Sequence, residues 1–360
     1  MVRDFIEGGA EDERTLGENT AAFHRQRLRP RVLVDVGTRD LSTSLLGEQL
    51  ALPILLAPVG LTALAHPDGE LAAARAAARA GTRLVASTAA SYRIEEIAAA
   101  ADGPAPWFQL YPWGDRGVIA ELLDRAAASG VRVLCVTVDV PVVGQRERDL
   151  VNGFTVPPRP GLRQVADTAR HPGWILGVAR RRRMTFANLQ GSALVPEDGA
   201  LSLVAYANQL NDPRTSWDTI DWIRDRWRGP LLVKGVAHPE DVRIATEHGV
   251  EGVIVSNHGG RQLDRVAASI DLLPDAVRAM DGRGVVLVDG GIRRGSDVAI
   301  ALALGADAVL IGRAYLYGLA AGGEDGALRA LTLLRTELER VLALLGAPGV
   351  GALSPDLLLP

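Results

Sequence analysis

The stretch SNHGGRQLD (256–264) breaks an apolar run into a polar, glycine-rich turn that presents His258, with Arg261 three residues on. Imidazole can take a proton near neutral pH, a guanidinium fork can clamp an anion, and a carboxylate can orient the ring. Asp139, which ends the apolar run VRVLCVTVD (131–139), is the candidate for that carboxylate. The surroundings of His24, His66, His171, His238 and His248 assign them no role. No further His or Cys accompanies His258 at metal-ligand spacing, so no metal site is expected.

Two more stretches carry recognisable chemistry. VDGGIRRG (288–295) and LIGRA (310–314) set glycines beside arginines. Exposed backbone N–H groups and guanidinium forks together suit a phosphate, although the same residues could form two ordinary turns with solvated arginines. Lys234, in PLLVKG (230–235), is the one lysine among 39 lysines and arginines. An ammonium at that position could stabilise a developing anion or, in another class of enzyme, form a Schiff base.

These residues need a scaffold that gathers distant parts of the chain. Apolar runs recur at 52–58, 82–88, 105–111, 131–139, 230–235, 251–257, 284–291 and 306–313, each followed by an Ala-, Glu- and Arg-rich segment of helical spacing. Strand–helix units in that series predict a closed (β/α)8 TIM barrel, a fold that commonly uses about 250 residues and keeps its chemistry at the C-terminal ends of the strands. Those ends carry Ser87 and Thr88, Gln109 and Tyr111, Thr137 and Asp139 with Arg146 beyond, Lys234, Ser256 to Arg261, Asp289 and Arg293, and Gly312 and Arg313. Residues 1–50 are expected to cover part of the barrel within one domain spanning 1–360, and 150–228, too long for a strand–helix link, to form a lid between strands four and five.

Composition narrows the partners. A net charge of −4 with both signs interspersed argues against nucleic acid. The lone Cys135 excludes an internal disulfide and reads as a small core residue. The charged start and the lack of a long apolar span suggest a cytoplasmic protein. GWILGVARRRR (173–183) could touch an anionic membrane surface, a reading ranked below the lid.

SNHGGRQLD, LLVKGV, VDGGIRRGSDV, TVDVPVVGQRERDLVNGF, FQLY and LRPRVLVDV occur together in one chain. In that combination the sequence resembles the FMN-dependent alpha-hydroxy acid oxidases and dehydrogenases, the group of glycolate oxidase, lactate oxidase and mandelate dehydrogenase, from about residue 5 to about residue 345. The resemblance implies an FMN cofactor, a 2-hydroxy acid substrate, O2 or a quinone as reoxidant, and a homotetramer. It makes His258 the active-site base, Asp139 its steadying carboxylate, Arg261 and Arg146 the holders of the substrate carboxylate, and Tyr111 a hydrogen-bond partner near the reacting oxygen. It places Ser87, Gln109, Thr137 and Lys234 on the isoalloxazine ring, Ser256 beside it, and Ala57, Pro58 and Val59 along it. Asp289 falls at the ribityl chain, and Gly291, Arg293, Gly312 and Arg313 at the phosphate. Lys234 would stabilise the negative charge of the reduced ring.

The chain departs from the family pattern in ways that bear on substrate. Phe5 stands where the family usually has a tyrosine, and Ala89 where glycolate-oxidising members carry tryptophan. The helix that normally precedes DFIEGG is nearly absent. Phe5 with Ala89 tilts the expectation toward aryl or otherwise bulky 2-hydroxy acids such as mandelate. SWDTIDWIRDRW (216–227) resembles the L-lactate dehydrogenase and lactate monooxygenase branches, which keeps lactate as the alternative.

Overall fold

The structure, a computed structural model, describes residues 2–153, 169–170, 176, 185–190 and 211–359. Eight parallel strands form the central sheet: β1 (Ile54–Leu56), β2 (Val85–Ser87), β3 (Trp107–Leu110), β4 (Leu134–Thr137), β5 (Leu231–Val236), β6 (Gly252–Val255), β7 (Val285–Asp289) and β8 (Ala308–Ile311). Each pairs with its neighbour in sequence, β8 returns to pair with β1, and a bridge between Leu56 and Leu84 closes the ring. The expected TIM barrel is therefore what the chain builds.

An outer helix follows every strand: α1 (Gly69–Arg79), α2 (Ile94–Ala100), α3 (Arg116–Ala128), α4 (Trp217–Arg226), α5 (Pro239–Glu247), α6 (Ser269–Met280), α7 (Gly295–Ala303) and α8 (Arg313–Leu345). Local signals start several of them. Asp115 accepts the N–H groups of Gly117 and Val118 at the head of α3, and Pro239 opens α5 behind the capping ring of His238. Apolar helix faces pack on the outward strand residues, for example Val136, Val233, Val253 and Val255, in one continuous core.

Strand side chains alternate, and the inward set splits into two floors. The lower floor is apolar: Leu55, Val85, Trp107, Cys135, Leu232, Ile254, Leu287 and Leu310 pack together, closed from below by Leu45 and Leu50 of the hairpin Thr43–Leu45/Glu48–Leu50. Cys135 lies fully buried in this plug, where burial pushes its thiol up to about 12. Two residues further along each strand the inward positions become Ala57, Ser87, Gln109, Thr137, Lys234, Ser256, Asp289 and Gly312.

The N-terminal segment covers the open end. A short helix, Val2–Glu7, and a longer one, Arg14–Arg25, precede the barrel. Much of the expected lid lies outside the described residues, as does nearly all of 174–183, for which membrane contact was considered. The far end of the 150–228 span is corrected by the structure: Trp217–Arg226 is α4, its Ile220 and Ile223 buried in the outer ring, so it belongs to the barrel and not to a lid. Among the described residues no helix is long and apolar enough to cross a membrane.

Candidate active site

Above the polar floor opens a cavity of about 910 Å³, within the range of ligand sites. Its walls include every residue that the family resemblance assigns to cofactor, substrate or catalysis except Asp139 and Ser256, and Thr88 and Asn257 at the strand ends also lie outside the wall. The strand-borne members arrive there because of the period of two. The plug fixes which face of each strand is inward, and the next inward residue must look into the cavity.

Lys234 is 4% exposed and is held as an ion. Its Nζ lies 2.8 Å from Asp289 Oδ2 and donates to Ser256 Oγ at 2.7 Å. Burial alone would lower its pKa, but Asp289 and Asp139 outweigh that and raise it. A lysine kept protonated is a poor Schiff-base nucleophile, which removes the main support for an aldolase reading.

Ser256 joins this ion pair to the histidine turn, since its Oγ also accepts the His258 N–H at 3.1 Å. His258 adopts a left-handed φ of 58°, an unusual and strained conformation for a non-glycine residue. Asn257 and Asn19 pin the turn through two reciprocal amide bonds of 2.8 and 2.9 Å. The ring is then aimed: His258 Nδ1 lies 2.9 Å from Asp139 Oδ1, leaving Nε2 as the nitrogen available to the cavity. Burial opposes the charge on Asp139, yet His258 and Lys234 together hold its carboxyl below the usual range.

Arginines converge on the other side. Burial and the neighbouring cations Arg146 and Arg313 press the pKa of Arg261 well below that of an ordinary guanidinium. Such crowding of like charge calls for an anion. Arg261 also donates to the carbonyls of Phe5 and Gly8, with its guanidinium 5.2 Å from the Phe5 ring, and Arg313 donates to Ile6, Gly8 and Gly259. The cover segment is thus bound to the same arginines that face the cavity. Tyr111 stacks on Trp113, and its phenol is pushed up by burial and by Asp139.

Buried polar atoms without a partner among the described residues include Gln109 Nε2, Thr137 Oγ1 and Asp289 Oδ1, all on the polar floor. Leaving each unsatisfied costs about 1–3 kcal/mol, so a bound group with matching polar edges is expected. The polar edge of an isoalloxazine and the hydroxyls of a ribityl chain supply such edges. Gly312 caps the N-terminus of α8, and Arg313 is its first residue, a location where helix geometry favours phosphate. The donor set therefore fits FMN.

Sequence reasoning missed several residues that build the site. Asn19 and Asp264 tie the helix Arg14–Arg25 to the histidine turn, Asp264 accepting the Thr15 N–H at 2.8 Å. Gly291 (φ 83°) was assigned to phosphate, but it also lets that helix approach, because a Cβ there would stand 1.8 Å from the Asn19 carbonyl oxygen. Glu70 of α1, 1% exposed, accepts N–H groups from Thr62 and Ser91 and so joins the loops after β1 and β2. A glutamate in the apolar face of a helix was the available signal.

The chain belongs to the FMN-dependent dehydrogenase family, whose model matches residues 1–360. It is 45% identical to an L-lactate oxidase from Nostoc sp., over 96% of this chain and 90% of that one. It is 43% identical to an (S)-mandelate dehydrogenase from Pseudomonas putida, over 99% of this chain and 89% of the relative. A crystal structure of monotopic membrane protein (S)-mandelate dehydrogenase superposes with a TM-score of 0.95 at 42% identity, covering 99% and 94% of the two chains. The protein is an FMN-dependent enzyme that oxidises the CH–OH group of 2-hydroxy acids.

Proposed function

We propose that the substrate is a bulky or aryl L-2-hydroxy acid of the mandelate type and that O2 is the reoxidant. Bound FMN would supply the two-electron acceptor. His258 Nε2 takes the substrate proton, and Asp139, accepting from Nδ1, fixes the tautomer and stabilises the imidazolium that forms. Arg146 and Arg261 hold the carboxylate, and Tyr111 hydrogen-bonds near the reacting oxygen. Lys234 would keep a positive charge against the bound cofactor, and the orphaned floor atoms of Gln109, Thr137 and Asp289 would hold its polar edge. Anchoring by two arginines places the 2-carbon for transfer, the orientation effect that supplies much of the rate.

The observation that carries the reading is the His258–Asp139 pair opening onto a cavity where the like charges of Arg146, Arg261 and Arg313 crowd one another. Preference for a bulky side chain is supported by the small Ala89 and apolar Phe5 in the cavity wall. An anaerobic screen of flavin bleaching by glycolate, L-lactate, long-chain 2-hydroxy acids and both mandelate enantiomers tests the substrate. Readmission of O2 with peroxide measured tests the reoxidant. Fastest bleaching by (S)-mandelate and stoichiometric peroxide are expected, whereas bleaching confined to lactate or glycolate would defeat the substrate assignment.

L-lactate is the second reading, favoured by the identity to the Nostoc oxidase. The lactate-like stretch 216–227 supports it less than its sequence suggests, since it forms α4 outside the cavity wall. A homotetramer and a cytoplasmic location belong to the same proposal, and light scattering of the purified holoenzyme with cell fractionation tests them.

A further inference from the structure

The Asp139 side chain lies over Gly235 of β5, at a point where that strand departs from regular geometry. The β5–β6 register shifts between Lys234, opposite Ile254, and Val236, opposite Val255, so that Gly235 is an extra residue in a bulge with φ 100°. A Cβ built on Gly235 would stand 2.6 Å from both Cβ and Cγ of Asp139 and 3.0 Å from its Oδ1. Carbon atoms in ordinary contact sit about 3.5–4.0 Å apart, so the carboxylate occupies the space that any side chain at 235 would take. Oδ1 is the oxygen that meets His258.

Other contacts leave Asp139 little freedom to retreat. The Val138 N–H donates to the Lys234 carbonyl at 2.9 Å, which locks the backbone on one side. Gln262 Nε2 donates to the Asp139 and Val142 carbonyls at 3.2 and 3.1 Å, which ties it to the histidine turn on the other. Pressure from position 235 would therefore be delivered to the side chain. We propose that Gly235 is a positioning residue: its missing side chain forms the seat that holds the Asp139 carboxylate against His258. The inference rests on the role assigned to His258 and Asp139 above.

The test is a cycle of four holoenzymes: parent, Gly235→Ala, Asp139→Gly, and the double variant. Each is assayed for FMN content, flavin reduction potential and anaerobic single-turnover reduction by (S)-mandelate and L-lactate across pH. Gly235→Ala is expected to keep FMN and the potential, to leave the substrate concentration for half-maximal rate within about twofold, and to slow reduction about a hundredfold, the scale of a misplacement of about 1 Å. Its pH–rate profile should move toward that of Asp139→Gly. In the Asp139→Gly background, where the crowded atoms are gone, the same change should add less than about a twofold loss.

An equal loss in both backgrounds would overturn the proposal in favour of backbone strain alone, and a lost cofactor or altered potential would assign the effect to neighbouring Lys234. An unchanged rate would also defeat it. Should Gly235→Ala not accumulate as holoenzyme, thermal unfolding of the four proteins reads the same cycle: rescue by Asp139→Gly supports the seat, and equal destabilisation overturns it. His258→Ala serves as the reference, since normal reduction there would sink the assignment of the base whatever Gly235 does.

Discussion

The strand-borne polar floor and the loop-borne cluster around His258 share one cavity but are built by different means. Floor residues Ser87, Gln109, Thr137, Lys234 and Asp289 lie on strands, fixed by the barrel ladder and by an apolar plug two residues below. Cluster residues His258, Arg261, Arg146, Tyr111, Phe5 and Ala89 lie beyond the strand ends or on the N-terminal cover. The first group is placed by periodicity. The second is placed by contacts between distant loops, such as His258 to Asp139 and Arg261 to Phe5 and Gly8. The floor should therefore govern cofactor retention and fold stability, and the cluster should govern rate and selectivity.

The largest effect separates the two directly. His258→Ala should retain FMN while anaerobic flavin reduction falls by more than about a thousandfold, within the range that loss of a general base can reach. Stopped-flow bleaching under argon checks it, and reduction at near-parent rate would remove His258 from the chemistry. Lys234→Met should behave in the opposite sense. It leaves Asp289 buried without its cation, a loss of about 3–5 kcal/mol, so the holoenzyme should unfold at lower denaturant and release FMN more readily. Parent-like FMN affinity and stability in that variant would break the division between floor and cluster.

The same division explains what could be read from the sequence. The barrel and its floor were legible because period-two apolar runs fix the face that each strand buries, and the next inward position follows by counting. His258 and Arg261 were legible as chemistry in a glycine-rich turn, but their roles came from the family resemblance. Asn19, Asp264 and Gln262 were not legible, because what they do depends on partners brought close only by the closed barrel: Asn19 meets Asn257 across 238 residues of sequence. Gly235, the last residue of the run 230–235, carries no signal in the sequence because its role depends on Asp139 standing beside it. The boundary of α4 was missed because the excursion before it hid where the outer ring resumed.

Selectivity should respond to the cluster by a smaller factor. Ala89 lines the cavity, and a Cβ at Gly60 would stand 3.1 Å from its Cβ, so the wall here is made of small groups in close contact. Ala89→Trp should lower the ratio of mandelate to lactate turnover by about tenfold to a hundredfold, comparable to the discrimination that a reshaped apolar pocket gives. Steady-state kcat/KM for both acids measures it. An unaltered ratio would show that selectivity is set elsewhere in the cluster.

The smallest effect lies where cluster and floor meet, at Asp139, whose carboxyl is held below the usual range despite burial because His258 and Lys234 favour its charge. A carboxyl depressed in the folded state contributes stability above its unfolded value of about 3.9 and loses it as pH falls through the lower folded value. Below about pH 4, then, the parent should lose stability more steeply than Asp139→Asn, which has no charge to titrate, and the two curves should run parallel above about pH 5. Urea unfolding of the holoenzymes between pH 3 and 6 gives both slopes. Equal slopes throughout would mean that the cations around Asp139 are themselves rearranged in the variant. The floor, through Lys234, would then set the charge of the cluster more strongly than the contact with His258 does.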